Sequence, residues 1–165
     1  MTTAFPSPRS RDRVSATMST SANDFASPGK VIAVNDQGRS VVFAPRGTSY
    51  ELHLRCVTPY AGPVNLPVEA NIRLAARKVY TVPSGGNFVT PIMGPPKIVQ
   101  GRVRAASDKQ LVIRAGANFI VELPAADSAI DLGNGAIALN TMVNVVALPG
   151  ATFELAVPGV SVDTN

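Results

Sequence analysis

The chain repeats itself. "GKVIAVNDQGRSVVFAPRGTSYELHL" begins at Gly29, and "GRVRAASDKQLVIRAGANFIVELP" begins at Gly101. Both run as glycine, basic residue, alternating stretch, polar turn, apolar stretch, second turn, and a strand carrying Glu-Leu. Glu51-Leu52 thereby matches Glu122-Leu123. Self-similarity of this kind restricts a chain to architectures built from like units. The turns "NDQG" and "SDKQ", then "RGTS" and "AGAN", carry side chains suited to reversing an extended backbone.

The echo extends past these hairpins. "VNL" at 64–66 answers "IDL" at 130–132, and "VPSGGNF" at 82–88 answers "LPGATFEL" at 148–155. The segment "VEANIRLAARKVYTV" fits a helix face or a strand when taken alone. Its partner "AIALNTMVNVVAL" alternates at Ile137, Leu139, Thr141, Val143 and Val145, so both read as strands. Pairing Ile72 with Ile137 needs an offset one residue smaller than pairing Val82 with Leu148, and a β-bulge in one copy would supply the difference.

Five strands per copy follow: 29–34, 40–45, 49–56, 68–82 and 86–92, then 98–106, 110–115, 118–123, 136–148 and 152–157. Fourteen prolines and thirteen glycines interrupt the chain too often for long helices, while Val, Ile and Thr favour strands. An open sheet of this size leaves edges exposed, and curling it into a small barrel removes most of them. The expected fold is therefore all-β: two tandem five-stranded small barrels over 29–93 and 98–157, joined by a Pro-rich linker at 94–97. A flexible arm at 1–28, without periodicity, precedes them, and a short tail at 158–165 follows. The strand–turn order, with "IVQGRV" leading through a turn to "LVIRAG", resembles the OB-fold and its small-barrel relatives. That resemblance implies the OB-like architecture and carries no ligand or catalytic residue with it.

"RKVYTVPSGGNF" at 77–88 raises a phosphate loop and then excludes it. A phosphate cradle leads into a helix N-terminus, whereas this stretch leads into the extended, proline-containing "NFVTPI". It reads as a corner, with Pro83 fixing φ and Gly85 or Gly86 permitting reversal. Arg77, Lys78 and Tyr80 have no counterpart in the other copy, where "VNVV" stands, so they are candidates for a task. Seven basic and three acidic residues lie in 29–93, against five of each in 97–157, so the net +4 of the chain belongs to the first copy. Arg55, Arg73, Arg77 and Lys78 with Tyr80 and the loop residue Tyr60 form the candidate interaction surface. Arg9, Arg11 and Arg13 are the candidate arm contacts. On one solvent face the basic side chains would follow a phosphate backbone; the alternative is a solvated strand face that guards against edge pairing.

Stacking platforms need exposed rings. Trp is absent, and Phe43, Phe88, Phe119 and Phe153 fall at alternating positions expected in the core. His53 is the sole histidine and Cys56 the sole cysteine, too few for a zinc site. The two lie on opposite strand faces, which argues against a Cys–His nucleophile; His53 shares a face with Glu51, and Cys56 reads as a small core residue. No catalytic, metal or cofactor site is expected. There is no intrachain disulfide, no apolar signal region and no run long enough to cross a bilayer, so a cytoplasmic, non-membrane protein is expected. The reading is a non-catalytic structural or adaptor protein for protein–protein contact or self-assembly, ahead of a nucleic-acid-binding role through the basic face of the first barrel.

Overall fold

A computed structural model describes residues 25–126, 129–133 and 136–156. These residues are all-β, with twelve strands in one mixed sheet and a 3-10 turn at Asp36–Gly38. The strands are β1 (Ser27–Asn35), β2 (Ser40–Pro45), β3 (Glu51–Cys56), β4 (Pro67–Thr81), β5 (Phe88–Thr90), β6 (Met93–Gly94), β7 (Ile98–Ala106), β8 (Gln110–Arg114), β9 (Asn118–Glu122), β10 (Ile130–Asp131), β11 (Met142–Ala147) and β12 (Thr152–Leu155). No helix among them is long and apolar enough to cross a membrane. The expected tail, and nearly all of the expected arm with Arg9, Arg11 and Arg13, lie outside the described residues.

The opening hairpins repeat faithfully. In β1–β2, Val31 faces Phe43 and Ala33 faces Val42; in β7–β8, Val103 faces Ile113 and Ala105 faces Val112. One residue is bulged out of each first strand, Ile32 and Arg104, at equivalent places. A bulge there bends the strand and sharpens its twist. Gly29 and Gly101 begin the two hairpins because a Cβ at either would run into the facing backbone, the carbonyl oxygens of Ala44 and Arg114 respectively.

The long segment 67–81 is a strand, and it is the hub of the sheet. β4 pairs with β1, β9 and β10 along one edge and with β12 and β11 along the other. Its alternation breaks once. Lys78 faces Val146 and Ala76 faces Ala147, leaving Arg77 as an extra residue. A bulge thus interrupts this strand, although the pairing of Ile72 with Ile137 from which one was expected does not hold.

Pairing runs in two circuits. One passes β1–β2–β3–β12–β4 and returns to β1; the other passes β7–β8–β9–β4–β11 and returns to β7. They correspond residue for residue. Gly29 faces Val68 as Gly101 faces Val143, and Arg55 faces Thr152 as Glu122 faces Ala75. The second half of β4 therefore matches β12, and Ile72 matches Ala147.

That correspondence corrects four expectations. Ile72 is not the partner of Ile137, because β11 starts only at Met142. The alternating run before it is a turn, with Asn140 at φ 70° and Leu139 exposed. Nor does 86–92 match 152–157: β5 adds to the edge of β7, whereas β12 inserts between β3 and β4. Glu122 corresponds to Arg55 rather than to Glu51, since the bulged hairpin and tighter second turn shift the count. Lastly, the arm ends sooner than expected, because Ser27 and Pro28 already pair with Ala70 and Glu69.

A single apolar cluster fills the interior of both circuits, from Val31, Phe43 and Leu54 through Ile72 and Val79 to Val103, Phe119 and Val145. Phe153, carried by β12, packs edge-on against Phe43 at 5.4 Å and Tyr60 at 5.7 Å.

Candidate interaction surface

The expected basic residues fall into two groups on β4. Residues facing one another across paired strands project from the same face. Ser40 of β2 faces Arg55 of β3, Arg55 faces Thr152 of β12, and Thr152 faces Arg73 of β4. Two arginines distant in sequence thus stand in one lateral row, separated by a threonine. Glu154, two residues beyond Thr152 on the same strand, faces outward beside them and faces Asn71.

Arg77, Lys78 and Tyr80 form the second group. The bulge turns both basic side chains outward, and both are exposed. Lys78 Nζ lies 5.7 Å from the centre of the Tyr80 ring, within cation–π range. This part of β4 pairs with β11 and β10. The three residues belong to the circuit dominated by the second copy, so the basic face expected on the first barrel is split between the circuits.

Tyr60 is a packing anchor for its loop. Its hydroxyl donates to the Pro63 carbonyl, its ring packs on Phe153, and its amide donates to Gly38 O at 2.8 Å. Burial raises its pKa, with a further push from neighbouring Cys56. The Cys56 thiol, half-buried, is likewise raised by burial. His53 is exposed on β3 and Cys56 faces the other side, so they form no couple. Among the described residues no three His, Cys, Asp or Glu side chains are grouped to hold a metal.

The corner at 82–88 covers a polar pair. Asn144 donates to Gln100 Oε1 at 2.9 Å, and Gln100 Nε2 donates to the Gly86 carbonyl at 2.9 Å. Gly85, at φ 139°, approaches so closely that a Cβ would lie 2.8 Å from Gln100 Nε2. The loop closes over side chains of β7 and β11, a structural task.

Beyond the corner, the chain shows what the sequence reading missed. Phe88, expected in the core, is 36% exposed, and Ile92 and Met93 are 52% and 63% exposed. Backbone bonds hold this segment at both ends. β5 pairs with β7, Lys97 N donates to Thr90 O, Glu51 N donates to Ile92 O, and β6 pairs with the start of β3. Apolar residues running up to the expected linker, in "TPIMGPP" at 90–96, were the available signal. Val57, Val64 and Leu66 are also exposed, but they are spread over the loop around Tyr60.

A further hollow involves Arg39, which the sequence offers only as one of the seven basic residues in 29–93. It lies between the Asp36–Gly38 turn and the end of β3. Comparison with known proteins returns no matching family model, no similar curated protein and no similar solved structure.

Proposed function

We propose that this is a non-catalytic interaction protein: two small β-barrels fused along β4 that associate with further copies of the chain through the apolar corner at 88–94. The observation that carries the reading is the ordered exposure of Phe88, Ile92 and Met93 within six residues. Isolated exposed apolar side chains are ordinary on protein surfaces. Three together on a backbone already fixed by two strand pairings lose little further freedom on docking, which is the economy of a good contact site. The scarcity of free aromatic rings supports the same ranking, since Tyr60 and Tyr50 are committed to packing: Tyr50 is half-buried, its pKa raised by burial, and it bonds the Val89 backbone.

Light scattering over a range of concentrations tests the reading. The unmodified chain gains mass as concentration rises, and Ile92→Asp with Met93→Asp holds it monomeric without altering its circular dichroism. A chain that stays monomeric throughout, or that associates equally well after both substitutions, sinks it. A nucleic-acid role is the second reading, favoured by the bulge that points Arg77 and Lys78 outward beside Tyr80. Its signature is binding to single-stranded RNA or DNA that weakens steeply with salt and with Arg77→Ala plus Lys78→Ala.

A further inference from the structure

The hollow beside the 3-10 turn is lined by Asp36, Gln37, Arg39, Ser40 and Arg55 and has a volume of about 580 Å³. Every lining side chain is polar, and two are guanidinium groups. Among the described residues neither Arg39 nor Arg55 makes an ion pair or a side-chain hydrogen bond, and Asp36, though it shares the hollow, pairs with neither. Arg55 is presented on a rigid strand between Ser40 and Thr152, with its amide donating to Ala151 O at 3.0 Å.

The opposite wall is just as fixed. Asp36, Gln37 and Gly38 all have positive φ, and the turn is held from behind. Arg39 N donates to Asp36 O, Tyr60 N donates to Gly38 O, and Cys56 N donates to Arg39 O at 2.7 Å. Gly38 is wedged beneath Tyr60, where a Cβ would meet its backbone at 2.9 Å. The walls are therefore set without a ligand, so little ordering entropy opposes binding.

The second circuit supplies an internal comparison. Its hollow at the equivalent turn is lined by Asp108, Lys109, Gln110 and Glu122, among others. Glu122 occupies the register position of Arg55, since Gln110 faces Glu122 as Ser40 faces Arg55. One framework thus carries opposite charge at one site in its two copies. Packing dictates neither sign at an outward position, so the difference between the copies is not required by the fold.

We propose that the first hollow binds a small, hydroxyl-rich phosphorylated metabolite, of the sugar-phosphate kind. The two guanidinium groups take the phosphate oxygens, for which their planar donor forks are suited. Asp36, Gln37 and Ser40 accept from and donate to hydroxyl groups. No aromatic ring lines the hollow to stack a base. Its size falls within the range of small-molecule sites. This inference is independent of the apolar corner and of any association through it.

Nuclear magnetic resonance titration of the full chain tests it, with glucose 6-phosphate, inorganic phosphate and glucose as probes. Glucose 6-phosphate shifts the amide signals of Asp36 to Ser40 and of Arg55; phosphate alone does so more weakly, and glucose does not at concentrations up to about 10 mM. Arg55→Glu, the residue of the second copy, weakens binding by about tenfold or more, as expected for loss of a charge-assisted bond. Arg39→Gln does the same, which guards against a fold defect in one variant, and Glu122→Arg leaves affinity unchanged. No shifts at about 10 mM sugar phosphate, or shifts that survive both arginine substitutions, overturn the proposal. So does an oligonucleotide that displaces the sugar phosphate at lower concentration, because the ligand class would then be a polynucleotide.

Discussion

Gly29 and Gly101 mark where each first strand crosses closest to its hairpin partner. Alanine at either position would drive a methyl group into a carbonyl oxygen, and neither Ala44 nor Arg114 can retreat, since both are held in ladders. Gly101→Ala is expected to destabilise the chain by about 2–3 kcal/mol, with Gly29→Ala similar, measured by urea unfolding. Both glycines stood out in the sequence as the starts of the repeat, and the clash explains why a repeat should begin there. A second residue-scale expectation concerns alkaline pH. Burial raises the pKa of Tyr50, Cys56 and Tyr60, so the folded chain retains protons that the unfolded chain has already released. Their contribution to stability is complete below the unfolded-state values, about 8.5 for Cys and about 10 for Tyr, and is lost as pH rises through the folded ones. The urea midpoint should hold to about pH 8 and then fall, and Cys56→Ala should remove the earliest part of the fall. A midpoint that rises between those limits contradicts the assignment.

At the scale of elements, β4 invites a deletion experiment. Arg77 is the residue that its partner strand does not match, so removing it joins two ladders already in register. Deleting Arg77 should cost about 1–2 kcal/mol. Deleting Leu74 has no such relief. It turns one part of the strand inside out, exposing either Ile72 or Val79, and should cost more than about 4 kcal/mol or prevent folding. Equal losses from both deletions would deny the bulge. Most strands were legible in the sequence because alternation and turn chemistry are local, but the two-residue β6 and β10 were not, and the broken offset that suggested a bulge rested on mismatched strands. Strand partners were not legible either. Nothing local tells β12 to insert between β3 and β4, or tells β5 to lie on β7, since both are short β-prone runs after a proline-containing turn. The candidate site suffered for the same reason. The resemblance of Glu51-Leu52 to Glu122-Leu123 masks the exchange of Arg55 for Glu122, which only hydrogen-bond register exposes.

For the whole molecule, the decisive matter is whether its two halves stand alone. The linker at 94–97 suggests a cut, and two separate barrels would survive it. Strand ownership argues otherwise. Residues 29–93 would lack β12, leaving the ends of β3 and β4 unpaired and the Phe43–Tyr60 side of the core without Phe153. Residues 98–157 would lack β4, opening β9 and β11 at once. Phe153→Ala in the intact chain is expected to cost about 3–5 kcal/mol. Against the roughly 5–15 kcal/mol that a domain has in total, the absence of a whole strand should be fatal. Neither 1–94 nor 95–165 should therefore unfold cooperatively or give a dispersed amide spectrum when produced separately. Produced together, they should assemble one-to-one, because each holds the strand that the other lacks. The intact chain should show a single transition, with tyrosine fluorescence and circular dichroism of the sheet coinciding. A fragment 1–94 that folds by itself would show that the shared strand is dispensable, and with it the idea that one core serves both circuits.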